Sequence, residues 1–179
     1  TPVAAVETIA DGARLTLRDG RTVTAGHVVV CANAYAAGLT MPARVKAKAV
    51  HNYMLESVPL DAAALTRLPS PNTFVVELNT AYVFYRVHEG RLLFGGIDKL
   101  SQREPDDIVV PADVRVKLEK LLAASFPGVV IPIAGGWGGR FHMTVTELPI
   151  IERAAASPHL TLNIGYGGTG VGLSLVCAR

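Results

Sequence analysis

Near the start of the chain, the run Val28-Val29-Val30-Cys31-Ala32 contains no polar side chain. A strand with one wet face alternates apolar and polar residues; a strand without alternation is normally buried on both faces, as in parallel sheets covered by helices. Parallel neighbours require a crossover of about a dozen residues or more. The residues before Val28 offer none. They read as a three-stranded meander of Val3–Ile9, 13–17 and 27–32. Asp11-Gly12 and Asp19-Gly20 mark its turns, because glycine accepts positive φ. The expectation is that the natural neighbours of the valine strand lie upstream of Thr1.

The middle of the chain changes character. Residues 46–58 alternate and read as a long strand, followed by a short helix over 61–68 that Pro69 and Pro71 end. Residues 74–78, 82–88 and 91–97 read as strands joined by short turns, an antiparallel sheet with one polar face. Asp113 is placed to cap an amphipathic helix whose stripe is Val114, Leu118, Leu121 and Leu122, stopped at Phe126-Pro127-Gly128. An apolar stretch over 129–134, the run Gly135-Gly136-Trp137-Gly138-Gly139 and a strand near 140–145 follow. A buried strand at Leu160–Ile164, a glycine loop over 165–172 and a helix beginning at Val171 close the chain.

Composition narrows the function classes. Half of the 179 residues are hydrophobic and 18% are charged, which excludes a disordered chain. A formal charge of +2 is too small to suggest nucleic acid. Arg44, Lys46 and Lys48 share one strand face and read as a solvated face. No apolar run is long enough to span a bilayer, and no secretory signal is visible. Cys31 and Cys177 lie in apolar runs and read as buried thiols of a reducing, cytoplasmic compartment, with a disulfide between them left open. A first residue other than Met suggests a cut chain. The five histidines have no metal-ligand spacing with the cysteines, and no metal site is expected. G-x-S-x-G, H-E-x-x-H and P-loop motifs are absent.

Gly165-Tyr166-Gly167-Gly168-Thr169-Gly170 matches G-x-G-x-x-G, after a strand and before a helix. Three readings stand. A nicotinamide dinucleotide site needs a second parallel strand and an acidic residue about 20 positions on, whereas the chain ends at Arg179. A plain strand–helix turn is the second. The third is a close approach to a flat, electron-rich ligand: glycines let the backbone near it, and free N–H groups at a helix start favour its negative edge. A flavin has such an edge.

Four ordered stretches resemble the D-amino-acid oxidase family of FAD-dependent oxidoreductases, which includes glycine, sarcosine and γ-glutamylputrescine oxidases. They are Val28-Val29-Val30-Cys31-Ala32-Asn33-Ala34-Tyr35; Arg91-Leu92-Leu93-Phe94-Gly95-Gly96; Trp137-Gly138-Gly139 with Glu147-Leu148-Pro149-Ile150-Ile151; and Gly165 to Gly172, where the family commonly has His in place of Thr169. The resemblance covers nearly the whole chain. It departs from the family in lacking the N-terminal dinucleotide-binding motif, and so implies a C-terminal piece of such an enzyme.

The resemblance implies an α+β fold with an antiparallel or mixed substrate-domain sheet, flanking helices, and partial strands and a C-terminal helix of an FAD-binding α/β domain. Residues 1–35 and 146–179 would belong to the FAD domain and 36–145 to the substrate domain. FAD, held non-covalently, would meet Ala32, Asn33, Gly138, Gly167, Gly168, Thr169, Gly170 and Val171. A small amine or amino acid would meet Tyr53, Tyr85, Arg86, Trp137 and His142, losing hydride from its C–N carbon to the flavin without an obligatory side-chain base. Tyr85 and Arg86 lie on opposite faces of one strand, so only one can face the flavin; Tyr85 is preferred, and Arg86 suits a substrate carboxylate if the register is reversed. The isolated chain is expected to bind FAD poorly, to be inactive and to self-associate through its FAD-domain face. A stand-alone binding module without cofactor and a nicotinamide domain are the alternatives.

Overall fold

The structure is a computed structural model that describes residues 1–78, 82–100 and 109–178, with the backbone alone for 97–100. It is a mixed α/β fold with antiparallel and mixed sheets and few helices. The chain divides into two compact units: residues 1–50 with 141–179, and residues 51–140.

The first unit opens with the meander β1 (Val3–Ile9), β2 (Gly12–Leu17) and β3 (Thr22–Ala25). Its third strand is Thr22–Ala25, not residues 27–32 as the sequence implies. Thr22-Val23-Thr24-Ala25 does alternate, but over only four largely exposed residues, too few to stand out beside the valine run. Glycine is required at Gly12, where a Cβ would collide with the carbonyl of Ala25. The valine run instead becomes β4 (Val28–Val30), in a second sheet with β10 (Ile150–Arg153) and β11 (Leu160–Ile164), in the order β10-β11-β4.

Strand β4 runs parallel to β11, with Val28 opposite Leu160 and Val30 opposite Leu162, while β10 pairs antiparallel with β11. The valine strand is therefore in a parallel pair, as its unbroken valines imply, but the neighbour seen is β11 from downstream in the chain rather than a strand from upstream of Thr1. Burial on both faces is not seen: Val30 is buried with Leu160, Leu162 and Ile164, whereas Val29 is 54% exposed. Among the described residues one face of this small sheet is covered and the other is not. Cys31 is likewise exposed rather than buried, because β4 stops at Val30, and both cysteines are free thiols. Beyond β4 a 3₁₀ helix, Asn33–Gly38, packs Ala36 into the same core.

The second unit is built on a five-stranded sheet ordered β6-β7-β8-β5-β9, from β5 (Ala47–Ser57), β6 (Phe74–Glu77), β7 (Val83–His88), β8 (Arg91–Leu100) and β9 (Ile133–Thr144). Helix α1 (Ala62–Leu65) starts at Asp61, whose carboxylate accepts from the Ala64 N–H at 2.7 Å. Helix α2 (Ala112–Ser125) carries the expected stripe: Val114, Leu118 and Leu122 are buried, with Leu121 packed beside them. Its N-cap is Pro111, not Asp113, which sits in the first turn. The fixed φ of proline presets the helix start, and the acidic side chain there still complements the helix dipole. The stripe covers Tyr53, Leu55, Val83, Tyr85, Val87, Leu92 and Phe94, one face of the sheet.

The run Gly135 to Gly139 was expected to precede a strand; it lies inside one, β9. The reason is contact. A Cβ on Gly136 would sit 2.5 Å from the Met54 carbonyl oxygen, so only glycine lets β9 lie this close to β5.

Candidate functional site

In the first unit, three distant stretches meet at Asn33. The chain leaves β4 through Ala32 and enters a left-handed turn at Asn33, φ +43°. Asparagine tolerates that region better than most side-chain-bearing residues. Its Oδ1 accepts from the backbone N–H of His142 at 3.3 Å and of Gly165 at 3.4 Å. The Gly167 N–H donates to the His142 carbonyl at 3.1 Å, and Met143 bridges to Tyr166. Asn33 thus fastens the end of β4 to the turn after β11. Gly165 is required twice over: its φ is +79°, and a Cβ would stand 2.8 Å from the Thr144 methyl.

The turn opens into helix α3 (Gly170–Cys177). Thr169 occupies the N-cap without capping; its hydroxyl donates backwards to the Tyr166 carbonyl at 2.9 Å. The first turn of α3 therefore has no side-chain acceptor competing for its amides. In front of it, Gly167 (φ +59°) and Gly168 have open space where a Cβ would be, and Val171 is 94% exposed. An uncapped helix start behind two bare glycines suits the electron-rich edge of a planar group. The residues present fit a flavin.

Tyr166, which fills a variable position of the glycine motif, donates its hydroxyl to Asn163 of β11. Burial is the main influence that raises its phenol above the ordinary tyrosine range. Sequence reasoning passed over Tyr166 and Asn163; three residues apart across a tight turn, they could have been suspected only from the strand–turn–helix context.

In the second unit the sheet face away from α2 carries Phe74 and Val76 of β6, Phe84 and Arg86 of β7, and Met54 of β5. Arg86 is exposed and lies between Phe74 and Leu93 in the strand register. Gly95 is bare because Met54 and the Phe84 ring fill the space its side chain would need. The Phe84 ring packs against Phe74 and Tyr82, with centroids 6.1 and 6.4 Å away. This face is an aromatic surface that carries the Arg86 guanidinium.

Of the residues singled out from sequence, Ala32, Asn33, His142, Gly167, Gly168, Thr169, Gly170 and Val171 all belong to the first unit, and His142 is buried. Tyr53, Tyr85, Arg86, Trp137 and Gly138 belong to the second. Tyr53 and Tyr85 are in the core under α2. Tyr85 stacks on Phe94 at 5.7 Å and meets the edge of Phe126 at 5.0 Å; burial first, then Glu77, push its hydroxyl up to about 12. The strand register is thus the one that turns Tyr85 inward and Arg86 outward. Trp137 is 42% exposed on β9 and Gly138 is buried. Among the described residues no group of histidine, cysteine and carboxylate side chains could hold a metal ion, and no helix is long and apolar enough to cross a membrane.

A family model described as DAO, FAD dependent oxidoreductase, matches residues 1–179. Among solved structures, the chain is similar to glycine oxidase from Geobacillus kaustophilus, at 22% identity and a TM-score of 0.78 over 98% of this chain and 45% of that one. It is similar to iminodiacetate oxidase from Chelativorans sp. BNC1, at 19% identity and 0.72 over 93% and 44%. L-proline dehydrogenase from P. horikoshii matches at 15% identity and 0.75 over 94% and 45%. The chain spans less than half the length of these structures. No curated protein matches it.

Proposed function

The chain belongs to the FAD dependent oxidoreductase family, and from that premise we propose that its residues form part of an enzyme that oxidises the C–N bond of a small amine or amino acid. The observation that carries this reading is the uncapped start of α3, set behind Gly167 and Gly168 and fastened by Asn33 to the end of β4. When bound, FAD supplies the acceptor for a hydride leaving the substrate.

The chain's own residues have the remaining tasks. Gly167 and Gly168 admit the ring edge closely, and the Gly170 and Val171 amides favour negative charge there. Asn33 keeps the turn in register. Arg86 receives a substrate carboxylate through paired N–H donors, while Phe74, Phe84 and Leu93 exclude water and so favour the neutral amine. Tyr53 and Tyr85 hold the sheet from its other face. Both thiols are free, which suits the reducing cytoplasm where we place the protein.

Because relatives of this fold are more than twice as long, the isolated 179 residues are expected to bind FAD weakly and not to turn over. With Val29, Ile151, Leu175 and Val176 uncovered, they are also expected to self-associate. The test is anaerobic: the FAD-loaded polypeptide carrying these residues is mixed with a panel of small amines and amino acids, and the oxidised-flavin absorption is followed. Bleaching by at least one amine supports the reading. No bleaching across the panel, with bleaching by hydroxy acids instead, overturns it.

A further inference from the structure

Beside α2 the second unit holds a cavity of about 290 Å³ that the proposed activity does not use. Its lining comes from two stretches. Arg115, Glu119, Leu122 and Ala123 follow one another along one face of α2, at the spacing of successive turns. Val129 and Ile131 come from the segment that leaves the helix. That segment is pinned: Arg67 donates to the Pro127 and Gly128 carbonyls at 2.9 and 3.0 Å, and the Val58 N–H donates to the Pro132 carbonyl at 2.9 Å. The wall is therefore formed before any ligand arrives, which lowers the cost of binding one.

The floor of the cavity is apolar and its mouth is charged. Arg115 Nε donates to Glu119 Oε1 at 2.9 Å, with both side chains close to half exposed. That bond uses one donor of the guanidinium and one oxygen of the carboxylate, and leaves the terminal nitrogens and the second oxygen for a ligand. We propose that this cavity binds a free amino acid with an apolar side chain: its α-carboxylate on Arg115, its α-ammonium on Glu119, its side chain against Leu122, Val129 and Ile131. Glu119 would oppose a lone carboxylate and Arg115 a lone amine. A zwitterion satisfies both and keeps the bond between them. The volume is at the small end of ligand sites, which run from roughly 300 to 1,000 Å³, and suits one amino acid rather than a peptide or a dinucleotide. Leu122, Val129 and Ile131 belong to the core under α2, whereas Arg86 lies on the other face of the sheet, so the inference stands apart from the proposed activity.

The experiment titrates the polypeptide carrying these residues with L-leucine, anaerobically and without added FAD, and follows labelled isoleucine, leucine and valine methyl groups by NMR. Saturable shifts at Leu122, Val129 and Ile131 are expected, with a Kd of about 1 mM for so small a ligand. Isocaproate, which lacks the ammonium, and isopentylamine, which lacks the carboxylate, should each bind at least about tenfold more weakly. Arg115→Gln and Glu119→Gln should weaken leucine binding to a similar degree. Ala123→Phe fills the cavity from an exposed helix position and should abolish the shifts while leaving the rest of the methyl spectrum in place. The proposal is overturned by the absence of saturable shifts at these methyls up to about 20 mM leucine, by shifts confined to the Arg86 face, or by equal affinity for either singly charged analogue. Leucine binding that Arg115→Gln and Glu119→Gln leave unchanged overturns it as well.

Discussion

Between Gly135 and Gly139 the glycines run through a strand, and at Gly136 a side chain is forbidden by a neighbour: the Met54 carbonyl stands 2.5 Å from where Cβ would be. Between Gly165 and Gly172 the chain bends, and Gly167 and Gly168 have nothing within 4 Å of the same point. Gly136 is bare because it is crowded, although Gly135 and Gly139 beside it have open space; Gly167 and Gly168 are bare although nothing crowds them. The crowded position holds a sheet together. The empty pair keeps a surface bare in front of a helix start, which is what a site for a flat ligand requires.

The largest effect should come from filling the crowded segment. Gly136→Val is expected to destabilise the chain by about 3 kcal/mol, read as a lowered denaturant midpoint. A neutral result would mean that β9 does not lie as close to β5 as described. Asn33→Ala removes the acceptor for two backbone amides and places alanine at φ +43°; about 2 kcal/mol should be lost. Asn33→Gly keeps the backbone easy and should lose roughly 1 kcal/mol less. If the two variants are equal, the left-handed turn carries no strain.

Gly167→Ala is strained by its φ of +59° but clashes with nothing, so about 1 kcal/mol is expected. Gly168→Ala, with neither clash nor positive φ, should change stability by no more than about 0.5 kcal/mol. Its effect should instead fall on the FAD-loaded polypeptide as weaker flavin binding, measured by fluorescence titration. Equal flavin affinity in Gly168→Ala and the parent would remove the functional half of the contrast.

Patterns of burial were legible in the sequence; patterns of crowding were not. The long strand β5, helix α2 with Val114, Leu118 and Leu122, and strand β11 follow from apolar spacing, and the structure has them where that spacing put them. That β4 pairs in parallel was anticipated from the unbroken valines; its downstream partner β11 was not legible in them. Strand β3 went unseen because its alternation spans only four residues, none of them buried. The strand character of Gly135 to Gly139 was hidden because glycine signals a turn unless one knows what stands opposite. The outward turn of Arg86 could be reduced to two registers, and only the packing of Tyr85 under α2 chose between them. The motif at Gly165 named the place but not Asn33, whose side chain reaches it from the far end of a parallel strand pair.

Amide hydrogen exchange on the polypeptide carrying these residues, with and without FAD, tests the central claim most directly. Flavin is predicted to slow exchange at the Gly167–Val171 amides and at Asn33, and to leave Val114, Leu118 and Leu122 unchanged. Tight FAD binding that leaves exchange at the glycine turn and the start of α3 unaltered would contradict it.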